Sequence, residues 1–121
     1  MALRIETVTV DARNPQALAR FWSAALGWEH RVDEDGDVVV GPGRGDPAHG
    51  SVEPLLFQAV PEPKSAKNRI HLDLRPDDQA AEVERLEDLG ATRVSVGQSG
   101  TESWIVLADP EGNEFCILSD T

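Results

Sequence analysis

The chain has 121 residues, 40% of them apolar, and a formal net charge of −11 from 22 acidic and 11 basic side chains. That apolar share suits one packed domain and excludes a disordered chain. The acidity argues against nucleic acid, whose phosphates need clustered Lys and Arg, and no apolar run approaches the roughly 20 residues of a membrane span. The single cysteine, Cys116, excludes an internal disulfide framework. The N-terminal stretch MALRIETVTV lacks the basic region and apolar block of a secretory signal, so a cytoplasmic location is expected.

In chain order, Leu3 to Ala12 alternates as a strand, with Thr7, Thr9 and Asp11 on one side and Val8 and Val10 on the other. Asn14 is suited to cap a helix and Pro15 to open it, because the first helical position needs no N–H. Leu18, Phe21, Trp22 and Ala25 form the helix's apolar stripe, and Gly27 ends it. WEHRV and DVVVG follow as strands around a hairpin signal at Asp35-Gly36. The loop PGRGDPAHGS leads to a strand in EPLLFQAV. PEPKSAKN, residues 61–68, has two prolines and no hydrophobic periodicity, and reads as a linker.

Beyond the linker the order repeats. RIHLDLR alternates as a strand, with Ile70, Leu72 and Leu74 on one face and His71, Asp73 and Arg75 on the other. PDDQAAEVERLEDLG is a helix capped by Asp78, with Val83, Leu86 and Leu89 inward and Gly90 as its stop. TRVSVG, SWIVLA and EFCIL are three strands, the last two joined by the tight turn DPEGN. The chain thus reads βαβββ, linker, βαβββ: one module over about 1–60, a linker over about 61–68 and a second module over about 69–121. At one common offset Thr7 falls on His71, Thr9 on Asp73, Asp11 on Arg75, and Asn14 on Asp78.

This pattern, and above all the segments NPQALARFWSAALGW, NRIHLDL and LADPEGNEFCIL, resembles the vicinal oxygen chelate superfamily, specifically its glyoxalase-like, bleomycin resistance and dioxygenase-like branch. The resemblance covers nearly the whole chain. It implies an α+β fold in which two βαβββ modules form a curved, mostly antiparallel sheet cup with the helices on its convex side. It also implies a small molecule bound in that cup, and a homodimer. Metal-dependent members hold one divalent ion with ligands from the first and last strands of each module. Carried over one residue at a time, those positions fall on Thr7, on Gln58 as the polar residue in mid-strand, on His71 and on Cys116. Only His71 matches the usual ligand type, since members commonly have Glu where Cys116 stands. No resident cofactor is therefore expected; a divalent metal, if held, would use His71, Gln58 and Cys116, with Asp73 in reach of a displaced ion.

The candidate ligand-binding residues are accordingly His71, Asp73, Trp104, Gln58, Cys116 and Thr7. His71 is also the candidate catalytic group, because an imidazole exchanges protons near neutral pH; the bland alternative is a structural histidine satisfied by Asp73. Trp104 lies on the opposite strand face from Ile105 and Leu107, placing its ring for stacking on a ligand. Cys116 is read as a small buried hydrophobe, or as a nucleophile if a nearby cation depresses its pKa. The expected function is metal-independent binding of a small molecule, cationic or aromatic in view of the acidity and Trp104. The alternative is a divalent-metal-dependent lyase, isomerase or dioxygenase.

Overall fold

Two capped helices organise the chain, as seen in a computed structural model that describes residues 2–95 and 97–120. The first helix, α1 (Pro15–Leu26), begins where the Asn14 side chain accepts from the Ala17 N–H at 3.1 Å. It stops at Gly27, whose φ of 68° is the left-handed conformation that glycine adopts without a Cβ penalty. The second helix, α2 (Gln79–Leu89), repeats the device: Asp78 accepts from the Ala81 N–H at 3.1 Å, and Gly90 caps the end.

Each helix belongs to its own compact unit, Met1–Pro63 or Lys64–Thr121. The first unit holds β1 (Val8–Ala12), β2 (Glu29–Val32), β3 (Val38–Gly41) and β4 (Leu55–Ala59) in the order β1-β4-β3-β2. The second holds β5 (Asp73–Leu74), β6 (Thr92–Arg93), β7 (Ile105–Ala108) and β8 (Glu114–Ile117) in the order β5-β8-β7-β6. In both sheets the first and last strands pair in parallel and the remaining pairs are antiparallel. The internal repeat read from punctuation is therefore a repeat of topology, and the fold is the expected α+β arrangement of two βαβββ modules. The division between units falls inside the stretch read as a linker.

The core of the first unit joins Leu18, Ala19, Phe21 and Trp22 of α1 to Val38, Val40, Leu55 and Phe57 of the sheet, all buried. Phe21 and Trp22 meet edge to face, ring centroids 5.3 Å apart, an arrangement that suits the positive edge and negative face of aromatic rings. The second unit buries Val83 and Leu86 of α2 with Leu107, Phe115 and Ile117.

Both leading strands are shorter than their alternation predicts. Leu3 and Ile5 are exposed at 88% and 68%, and pairing begins only at Val8. The reason lies in the partner: Val8 pairs with Leu55, so the next position back faces Pro54, which accepts from the Val8 N–H but has no N–H to return. In the second unit the ladder reaches no further back than the Leu72 carbonyl, which accepts from the Cys116 N–H at 2.9 Å. Upstream, Asn68 is held off the ladder by its own N–H donating to the Glu114 carboxylate at 2.8 Å. Ile70, expected to face the helix, is consequently 82% exposed, while Leu72 and Leu74 are half-buried. Leu89, expected inward, is also exposed, on the last turn of α2. The strand expected over 92–97 is ordered as β6 at Thr92–Arg93, and Val96 lies outside the described residues.

Candidate functional site

One row of cross-strand neighbours builds the site. Asp73 of β5 pairs with Cys116 of β8, and Cys116 pairs with Val106 of β7. Because side chains alternate along a strand, that face also carries His71 two residues before Asp73, Trp104 two before Val106, and Glu114 and Leu118 on either side of Cys116. Together with Lys67 these residues line a hollow of about 320 Å³ within the second unit. The opposite face carries Leu107, Phe115 and Ile117 into the core.

His71 Nε2 lies 3.1 Å from Asp73 Oδ1, with both side chains about half exposed. One donor atom each from His71, Asp73 and Cys116 lies within 4.8 Å of the others. Cys116 is buried, and its thiol is pushed above its ordinary pKa by burial first, then by the negative charge and hydrogen bonding of Asp73, with Lys67 opposing. This bears against a nucleophilic thiolate, which needs a lowered pKa. Glu114 sits at the edge of the hollow. Burial pushes its carboxyl up, but the Asn68 N–H and the Lys64 ammonium, 3.1 Å away, outweigh burial and hold it below the ordinary carboxylate value. The hollow thus combines a carboxylate pair, an imidazole and an ammonium with an indole that is 43% exposed.

Of the residues singled out from sequence, the second unit brings together His71, Asp73, Trp104 and Cys116. Thr7 and Gln58 belong to the first unit. Thr7 is half-buried just ahead of β1, its hydroxyl 3.4 Å from that of Thr9. Gln58 is exposed on β4, paired with Asp11. Strand register places the first-unit counterpart of Cys116 elsewhere: Asp73 pairs with Cys116, its counterpart Thr9 pairs with Leu56, and Gln58 is two residues further along the same strand face. The four-ligand set of a hard divalent ion therefore does not fit, since a hydroxyl, a leucine and a thiol occupy three of its four positions.

Sequence reasoning missed Glu114 and Lys67. Alternation in EFCIL already puts Glu114 on the face of Cys116, and that signal was sufficient to find it; nothing local marks Lys67. It also missed a hollow of about 430 Å³ in the first unit, between β2, β3 and the loop before β4, where Glu29, Arg31, His49 and Glu53 surround Val39 and Val52. The second-unit hollow has the more directed chemistry, because an indole and a close trio of donor side chains line it together.

Comparison with solved structures places this architecture. A glyoxalase/bleomycin resistance protein/dioxygenase family enzyme from Burkholderia phytofirmans PsJN superposes with a TM-score of 0.68 at 19% identity, over 93% of this chain and 94% of that one. The fosfomycin resistance protein FosX from Mesorhizobium loti gives a TM-score of 0.69 at 14% identity, over 100% and 94%. TnmS3, an antibiotic binding protein from Streptomyces sp. CB03234, gives 0.65 at 21% identity, over 100% and 99%. A search of curated protein sequences finds no significant match. None of the helices is long and apolar enough to cross a membrane among the described residues. The sequence profile of the glyoxalase-like domain matches residues 7–118, nearly the full length, and the chain belongs to that family.

Proposed function

We propose that this protein binds a small organic molecule, cationic or aromatic, in the second-module hollow, and that binding does not require the four-ligand divalent centre of metal-dependent relatives. The observation that carries this reading is the convergence of Trp104 with His71, Asp73 and Glu114 on one sheet face. An indole offers a stacking surface and attracts a cation by about 0.5–1 kcal/mol when exposed, and about 2 kcal/mol when desolvated. Asp73 and Glu114 add acceptors and negative charge, and His71 can donate or accept. At about 320 Å³ the hollow is at the small end of ligand pockets, which run from roughly 300 to 1,000 Å³; it suits a ring system or one end of a larger antibiotic. The antibiotic-binding neighbour TnmS3 supports the same reading by analogy of fold.

Tryptophan fluorescence tests it. Trp22 is buried and Trp28 half-buried, so Trp104 is the indole open to a ligand in the hollow. In chelator-treated protein, titration with a panel of cationic antibiotics and aromatic metabolites is expected to quench or shift emission for at least one class. Trp104→Phe is expected to abolish that response. A silent wild type, with an equally silent variant, would remove the ligand-binding reading and leave an interaction module. The second reading, a metal-dependent lyase, isomerase or dioxygenase, is favoured by one observation, the clustering of His71, Asp73 and Cys116.

A further inference from the structure

We infer that the first-unit hollow binds the α-amino acid group of a zwitterionic compound with an apolar side chain. Arg31 takes its carboxylate, and Glu29 with Glu53 takes its ammonium. The site is built from one strand pair and one loop. Glu29 and Arg31 share a face of β2, paired with Gly41 and Val39 of β3. The opposite face of these strands is already used: His30 meets Ser23 of α1, Nδ1 3.0 Å from Oγ, and Val38 and Val40 are buried in the core. The loop before β4 adds His49, Val52 and Glu53, and together they line about 430 Å³. That volume falls within the range of roughly 300–1,000 Å³ found for small-molecule sites.

The charges in this hollow are of both signs and do not satisfy one another. Positions two apart on a strand face are only about 6–7 Å from each other, yet Glu29 and Arg31 form no ion pair. Among the described residues, none of the side chains of Glu29, Arg31, His49 and Glu53 makes an ion pair or a hydrogen bond. Lys64–Glu114, His71–Asp73 and Arg85–Glu82 all pair. Glu29 is also fitted to its loop. Its carboxylate rests against Gly43, where a Cβ would overlap it. A purely cationic ligand would meet the Arg31 guanidinium, and a purely anionic one would meet two carboxylates. A zwitterion matches both. The guanidinium fork suits a carboxylate, an ammonium has three N–H donors to share between Glu29 and Glu53, and Val39 and Val52 offer an apolar surface to the side chain. An analogue lacking either charge leaves protein charges desolvated without a partner, which is how such sites discriminate. This hollow shares no lining residue with that of Trp104, so the two can be tested apart.

The test is amide NMR of the full chain, whose spectrum also confirms the fold of every variant. The probes are L-leucine and L-phenylalanine, with 3-methylbutylamine and 4-methylpentanoate as leucine analogues lacking the carboxylate or the ammonium. At least one amino acid is expected to give saturable shifts centred on Glu29, Arg31, Val39 and Val52. Both analogues are expected to bind at least tenfold more weakly than leucine. Arg31→Gln and Glu29→Gln should each weaken binding tenfold or more. Gly43→Ala should weaken it too, by displacing the Glu29 carboxylate while leaving the folded spectrum intact. No saturable shift with either amino acid at millimolar concentration overturns the proposal, and the four side chains are then solvated surface charges. So does an analogue that binds as well as leucine, binding indifferent to both Arg31→Gln and Glu29→Gln, or shifts confined to Lys67, His71, Trp104 and Cys116.

Discussion

Cys116 owes its chemistry to its neighbours. It is 8% exposed, beside a carboxylate, and its thiol is pushed up by burial and then by Asp73. The metal-free protein should therefore react slowly with iodoacetamide near neutral pH, and Asp73→Asn, which removes the opposing charge, should accelerate alkylation; the measurement is the rate of mass gain. The linked effect on stability has a definite sign. As pH rises past the ordinary thiol value of 9.0, the unfolded chain gives up this proton before the folded one does. Cys116 thus contributes stability below that value and loses it as pH climbs through the raised folded value. At this scale the sequence was partly informative. Alternation put His71 and Asp73 on one face and made Trp104 opposite to Ile105 and Leu107, but it could not show that the residue beside Asp73 would be a cysteine 43 positions away.

Elements in this protein are bounded by local chemistry where they are helices and by distant partners where they are strands. Asn14 and Asp78 each accept from the N–H three residues on, at 3.1 Å. Asn14→Ala and Asp78→Ala are each expected to destabilise by about 1 kcal/mol, within a range of roughly 0.5–2, read as a lower urea midpoint at unchanged slope. Both helices were legible for this reason: cap, apolar stripe and glycine stop all lie within one short window. The leading strands were over-read because a strand ends where its neighbour stops offering groups. Pro54 ends the β1 pairing, and the capture of Asn68 by Glu114 ends that of β5. The exposure of Leu3, Ile5 and Ile70 follows from those two partners and not from any irregularity in the segments themselves.

Across the whole molecule the net charge of −11 sets a field that favours cationic ligands. If one binds beside Asp73 and Glu114, its affinity should fall as salt is raised, because charges are screened over about 10 Å at 0.1 M ionic strength. Fluorescence titration at low and high salt measures this, and a neutral aromatic ligand stacking on Trp104 should be much less affected. The sequence alone determined that the chain is two copies of one βαβββ plan, where its helices start and stop, and which side chains share a strand face. Those properties depend on capping and on periods of 3.6 and 2 residues, all expressed within a few positions. Only the tertiary structure decided that Asp73, Cys116 and Val106 stand in one row, that Glu114 and Lys67 join them, and that Leu56 rather than Gln58 is the counterpart of Cys116. Register between strands comes from hydrogen bonds to segments tens of residues away, and no local pattern in the chain encodes which residues those bonds will set side by side.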